Sequence, residues 1–305
     1  MSQLTSLTLD VGRVIIKSAQ VNEMVTGLAS LRRLTIRGVW YHLLPNGFPL
    51  GIVHSCKQLQ ELTISGASLS DVPAAIGDLT ALTRLELSGA GVTSLPDSIS
   101  RLTALRELDI QENRDPILPA GLTACKQLTL LAMGLDIMCP ALASLSSLRD
   151  LRIETIQLFT EIEPNFVHLT GLENLHLSCQ SDIPAGLGLM ANLRKLTIRS
   201  PAIGSFPAGP YLSRLESLTL KHSRANLEIP THLAAALQLQ HLTLETFGAI
   251  NVSVADVVVL LSMTSLTHLT LKQGAAVSKR NWNACFADLR SQCALEGREP
   301  PTISA

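Results

Sequence analysis

An α/β solenoid is the fold class this sequence predicts: a curved parallel sheet inside, short helices and 3₁₀ turns outside, in about 12 repeats. Three observations lead there. The stretch Leu82 to Pro96, LTRLELSGAGVTSLP, sets apolar residues at Leu82, Leu85, Leu87, Val92 and Leu95 and closes on proline; similar stretches start at Leu59 and at Leu105, each 23 residues away. Within each unit the fourth and sixth positions are apolar (Leu62 and Ile64, Leu151 and Ile153, Leu242 and Leu244) while the third, fifth and seventh are mostly polar. That is the alternation of a strand with one buried face. Finally, no run of Ser, Gly or charge divides the 305 residues, which suits one continuous array better than two globules.

Taken in order, the repeats start at Leu4, Leu31, Leu59, Leu82, Leu105, Leu128, Leu148, Leu172, Leu193, Leu215, Leu239 and Leu266. A short strand with one apolar face is stable only when neighbours stack on it, so the strands line one side of the array. Each unit returns through a segment that usually opens with proline, as at Pro73, Pro96, Pro119, Pro184 and Pro230. Proline suits the first turn of a helix, where its missing N–H has no partner to lose. The apolar residues of these returns, Ile76 with Leu79 or Leu233 with Leu237, are spaced to close the core from the convex side. Cys56 and Cys125 occupy the slot that Leu79, Leu102 and Leu145 fill elsewhere and are expected to act as small core hydrophobes.

Three units depart from the period. The Leu31 unit carries about five extra residues around Asn46 to Leu50, next to Trp40 and Tyr41. The Leu239 unit is lengthened through Val254 to Leu261, a longer convex helix. After Leu271, Ser278 is placed to N-cap a helix bearing Trp282, Phe286, Leu289 and Cys293 at helical spacing, with Gly297 beyond its end. The expected organisation is an array over 1–277, a capping helix over 278–297 and a disordered tail over 298–305. At the front, Leu4, Leu7 and Leu9 begin in mid-repeat, so an array continuing or covered beyond that edge is expected.

The L-x-x-L-x-L pattern resembles that of leucine-rich repeat proteins and covers nearly the whole sequence. The wording LSGAGVTSLP is similar to the intracellular repeats of plant immune receptors and of bacterial effectors delivered into plant cells. This resemblance implies a solenoid that binds another protein. It also implies an Asn at the ninth position whose amide serves the turn leaving the strand. Asn113 alone fits; Ala67, Ala90, Asp136, Ile156, Gln180, Pro201, Ser223 and Phe247 stand elsewhere, so most turns must satisfy their backbone groups by other means.

Composition narrows the function. A formal net charge of −1 with 16% charged residues gives no basic excess for nucleic acid. The most apolar run, VVVLL at 257–261, is too short to span a bilayer, and neither a signal peptide nor a membrane segment is expected. The six cysteines show no CxxC pairs, from which a reducing, cytoplasmic setting is expected. Gly186 and Gly188 match letters of a dinucleotide fingerprint without its βαβ context. His176 and Cys179 are two soft ligands where a metal needs four. Paired carboxylates such as Glu107 and Asp109 lie on an open sheet, where water is expected to keep them ordinary. No catalytic residue, cofactor or metal is expected, and the chain is read as non-enzymatic.

The concave face carries the remaining information. Glu61, Glu86, Glu107, Asp109 and Glu112 make its first half acidic, with Arg84 the exception. The Leu128 unit gives Leu130, Ala132, Gly134 and Leu135, a window without charge. Beyond it come Arg152, His176, Lys195, Arg199 and Lys221 among mostly basic residues. A charge-free window between opposite charges is patterned like the core and rim of an interface. The expected partner is therefore another protein, bound by Glu86, Glu107, Asp109, Leu130, Ala132, Leu135, Arg152, His176, Lys195, Arg199 and Lys221. The chain then serves as an adaptor or as the recognition part of something larger. The alternative is the recognition domain of a kinase, ubiquitin ligase or effector whose catalytic part lies outside this chain.

Overall fold

The computed structural model describes residues 3–38, 44, 47–69, 71–113, 116–134, 140–154, 168–178, 185–200, 206–222, 229–246, 254–273 and 280–304. Two compact units divide the chain, Met1–Glu154 and Thr155–Ala305.

In the first unit the strands are β1 (Ser6–Asp10), β2 (Arg33–Arg37), β3 (Glu61–Ser65), β4 (Arg84–Glu86), β5 (Glu107–Ile110), β6 (Leu130–Gly134) and β7 (Asp150–Glu154). They pair in parallel in chain order, and the register joins equal repeat positions: Leu34, Leu62, Leu85, Leu108, Leu131 and Leu151 stand side by side. All six are buried. Burial of each such leucine contributes about 1.5 to 3 kcal/mol, so the array is held collectively by its repetition. At β1, Leu7 and Leu9 are only half-buried and Leu4 is exposed.

The convex returns of this unit are 3₁₀ segments at Ala74–Asp78, Asp97–Arg101 and Ala120–Ala124. Their prolines stand one place earlier than the sequence suggests. Pro73, Pro96 and Pro119 are N-caps with extended backbone, ψ near 150°, and so aim the chain into the turn without joining it. Cys56 and Cys125 are buried as expected, and burial pushes both thiols up. Trp40 and Tyr41 lie outside the described residues, while Phe48 beside them in sequence is buried.

The second unit contains β8 (Asn174–Ser178), β9 (Lys195–Ser200), β10 (Ser217–His222), β11 (His241–Thr246), β12 (His268–Gln273) and β13 (Thr302–Ser304), again parallel and in order. Its convex side includes the helix Val254–Ser262, which fills the lengthened Leu239 unit as expected. The expected core role of Leu237 is not found. Leu237 is 55% exposed, and Ala236 takes the buried slot because the 3₁₀ segment Thr231–Ala235 brings round the residue three after Leu233, not four.

The C-terminal helix runs from Arg280 to Leu295 and buries Phe286, Leu289 and Cys293. Ser278, the expected N-cap, lies outside the described residues. Gly297 closes the helix in the left-handed conformation (φ +68°), with Gly297 N–H donating to Ala294 C=O and Arg298 N–H to Cys293 C=O. This double bond pattern is a Schellman stop. The tail expected to be disordered departs from that expectation. Thr302–Ser304 adds to β12 as β13, Thr302 N–H donating to Thr267 C=O at 2.8 Å, because β12 offers an unpaired edge and T-I-S repeats the polar-apolar-polar pattern of the array.

Candidate functional site

On β4 to β7 of the first unit, the third and fifth positions form rows across the sheet. The third-position row runs Arg84, Glu107, Leu130, Asp150, and the fifth-position row Glu86, Asp109, Ala132, Arg152. Between them lies a cleft of about 240 Å³ lined by Arg84, Leu85, Glu107, Asp109, Leu130 and Arg152. Four of the residues expected to bind a partner are thus brought together around one recess.

The window itself differs from a flat apolar patch. Ala132 stands between Asp109 and Arg152 and has no accessible surface, so it is the floor of its row. Leu130 is half-buried and supplies the apolar wall. Leu135 lies outside the described residues.

Charge is arranged more locally than a simple acidic tract. Arg84 ion-pairs with Glu86, Nη2 to Oε2 at 3.0 Å, and with Glu107 through Nη1. The Glu86 hydrogen bond, with the charges of Glu107 and Glu86, holds the guanidinium above its usual range against the opposing effect of burial. Glu86 also accepts from Thr63 Oγ1 at 3.3 Å. Across the recess Arg152 is fixed by Asp150, Nε to Oδ1 at 3.1 Å. Arg84 is the residue of this recess that sequence reasoning misses by treating it as an exception. A signal for it exists: a cation opposite Glu107 in register and two residues before Glu86 on the same face.

Asp109 corrects the expectation that these carboxylates stay ordinary. Burial, foremost, and the charge of Glu86 push its carboxyl up, while the Gln111 N–H (3.0 Å to Oδ1), Arg84 and Arg152 pull it down. No ion pair to Asp109 forms among the described residues. It is the acid of the recess that holds charge against partial desolvation.

In the second unit, Lys195 and Arg199 lie on β9, both exposed and without ion pairs among the described residues. Arg199 is in register with Lys221 on β10, which reaches Glu245 on β11 at 3.2 Å. Continuing along the row, Lys272 follows Glu245. His176 sits half-buried on β8 opposite Thr197. Cys179, considered with it as a ligand, lies outside the described residues.

Asn113 fulfils its expected role in the first unit. Its Oδ1 accepts from Ala90 N–H (3.0 Å) and Val92 N–H (2.9 Å), and its Nδ2 donates to the carbonyls of Leu87, Ile110 and Gln111. Sequence reasoning missed its counterpart in the second unit, a buried polar row of Ser200, His222 and Thr246 at the eighth position.

Comparison with known proteins places this geometry. Among solved structures, an internalin (inlF) from Listeria monocytogenes is 17% identical with a TM-score of 0.59, the match covering 88% of this chain and 73% of that one. The plant peptide hormone receptor RGFR1, solved in complex with RGF2, is 20% identical with a TM-score of 0.53, over 90% of this chain and 48% of the receptor. A TDR receptor gives 18% identity and a TM-score of 0.52, over 99% of this chain and 55% of that one. This chain thus spans about half the length of the two receptors. No curated protein matches. A family model described as a leucine-rich repeat region matches residues 13–300, and the chain belongs to the leucine-rich repeat family.

Proposed function

We propose that this chain is a non-enzymatic module that binds a partner protein on its concave face. The observation that carries the reading is the recess on β4 to β7, where a half-buried leucine is set among fixed charges and one partly desolvated aspartate. An apolar wall can be desolvated without stranding a charge, and the ion pairs around it hold their side chains in place before a partner arrives. The seventh-position row of the second unit supports a complementary role. Lys221 is paired with Glu245, while Arg199 beside it is exposed, has no ion pair among the described residues, and is free to meet an acidic group of a partner. The peptide complex of RGFR1 supports a protein or peptide ligand as the general class. Cys56, Cys125 and Cys293 are free and buried, which accords with work in a reducing, cytoplasmic compartment. A second reading, the recognition part of a longer protein, is favoured by the 48% coverage of RGFR1. Transcripts that extend this chain into a kinase, ligase or effector domain decide between the two.

The test is a three-variant comparison by surface plasmon resonance, using a partner retained by the wild-type chain in affinity capture. Leu130→Asp weakens binding by about 2 kcal/mol or more, because it buries an uncompensated carboxylate against the partner. Arg199→Glu slows association, and its effect shrinks as salt rises above about 0.15 M, where the Debye length is about 8 Å. Asp97→Lys, on the exposed convex return, leaves affinity unchanged. Circular dichroism checks that each variant is folded. A damaging Asp97→Lys beside a silent Leu130→Asp moves the site to the convex face.

A further inference from the structure

On the second unit, β11 and β12 bring His241 directly opposite His268. Both side chains are exposed, and the imidazoles stack with centroids 4.8 Å apart and planes 29° apart. Two aromatic rings in contact have an ordinary packing explanation, but the hydrogen bonds around His268 add something that packing does not require. His268 Nδ1 lies 2.9 Å from Thr267 Oγ1, and Thr267 Oγ1 donates to the Gln240 carbonyl at 3.0 Å. A hydroxyl has one proton: with it directed to the carbonyl, Thr267 Oγ1 accepts from the ring. In that tautomer the hydrogen sits on His268 Nδ1 and leaves Nε2 a bare lone pair, the form that a metal at Nε2 selects. A metal-binding histidine is prepared in this way: the far nitrogen donates to a fixed oxygen, which sets the tautomer and steers the ring.

His241 is the second donor. Its ring nitrogens make no hydrogen bond among the described residues, so a lone pair is available there too. A metal–nitrogen bond is about 2.0–2.1 Å, and with His268 held by Thr267 the soft rotation of His241 about χ2 lets its nitrogen turn toward an ion at His268 Nε2. We propose that His241 and His268 form a two-imidazole site for a borderline divalent transition-metal cation of the Zn²⁺, Ni²⁺ and Cu²⁺ class. Among the described residues no third His, Cys, Asp or Glu stands with them. The neighbours in the same row are Ser217 on β10 and Thr302 on β13, neither charged. The site therefore leaves its other coordination positions to water or to a side chain brought by a partner.

Isothermal titration calorimetry of the tag-free full chain with Ni²⁺ tests this, since the described free cysteines are buried and compete little. One equivalent of Ni²⁺ binds, and His241→Ala and His268→Ala each weaken it at least tenfold. Both residues are exposed, so circular dichroism of these variants stays that of the wild type. Thr267→Val keeps both imidazoles and removes the acceptor for Nδ1–H; it weakens binding about tenfold, the usual size of such an outer hydrogen bond, and Thr267→Ser restores it. Cu²⁺ electron paramagnetic resonance shows two nitrogen ligands in the wild type and one in either alanine variant. Absence of binding up to millimolar Ni²⁺, or binding that survives the double alanine variant, overturns the proposal. An unaffected Thr267→Val overturns the role given to the Gln240–Thr267–His268 chain.

Discussion

The eighth residue of the repeat follows one backbone path after β3 to β5 in the first unit and another in β9 to β12 of the second. Gly66, Gly89 and Glu112, all at that position, adopt left-handed conformations with φ of 67°, 58° and 57°. There the strand ends early, β4 with three residues and β5 with four, and the chain turns out of the sheet. In β9 to β12 the strand continues through the eighth residue and is six residues long. Strand alternation then puts position eight on the same side as the leucines at four and six, and Ser200, His222 and Thr246 are buried accordingly. A residue without Cβ permits the left-handed turn at little cost, whereas Ser, His and Thr favour extension. At these repeats the backbone of the eighth residue thus goes with a turn above the sheet in one case and with a longer strand in the other.

In the first unit the turn also depends on the ninth residue. Asn113 closes five hydrogen bonds at that position, two of them to N–H groups of the preceding repeat. Asn113→Ala is the most damaging change expected here, with a loss of about 3 kcal/mol or more, since each buried backbone group left unpaired costs about 1–3 kcal/mol. Urea unfolding measures the total. Hydrogen exchange locates it, and the Ala90 and Val92 amides are expected to lose protection first. A loss below about 1 kcal/mol puts the origin of this turn in the Gly positions and not in the amide.

Glu112 is the opposite kind of exception, a residue with a Cβ in a place its equivalents give to glycine. Left-handed backbone costs an L-residue about 1–2 kcal/mol, and glycine brings back about 0.5–1 kcal/mol in unfolded-chain entropy. Glu112→Gly therefore gains about 0.5 kcal/mol in urea unfolding. The same substitution at His222 destabilises, because an extended, buried strand position gains nothing from glycine. If both substitutions shift stability in one direction, the two backbone paths are not set by the eighth residue.

The strands, their register and the convex returns were legible because they rest on a repeated leucine pattern that survives variation in length. Leu237 was misplaced because the spacing rule assumed 3.6 residues per turn where the chain makes a 3₁₀ segment. The site was legible as residues and not as a shape. Glu107, Asp109, Leu130 and Arg152 were all marked, but the recess depends on how Arg84 folds over between two glutamates and on the shortness of Ala132, which only the register reveals. The buried row at position eight was invisible for a simpler reason. Whether Ser200, His222 and Thr246 face in or out depends on where the strand stops, and polar residues give no hint of burial.

The smallest effects expected concern pH, and they carry opposite signs in the two units. In the first, partial burial raises the Asp109 pKa above its ordinary 3.8, so the folded state binds the proton more tightly than the unfolded one. The associated stability is fully present below the unfolded value and is lost as pH rises through the folded one, so at pH 7 the ionised carboxylate works against folding. Asp109→Asn accordingly raises the urea midpoint at pH 7, and its advantage fades as pH falls toward 4. In the second unit, burial lowers the His222 pKa below 6.5. The unfolded state now binds the proton more tightly, so stability is complete above the unfolded value and is lost as pH falls through the folded one. Wild-type urea midpoints should drop between pH 7 and 5, and His222→Asn, though less stable at pH 7, should flatten that slope. NMR titration of the His222 ring provides the direct measurement. A ring that titrates at or above 6.5, or a slope unchanged by His222→Asn, removes the buried row from the account of what separates the units.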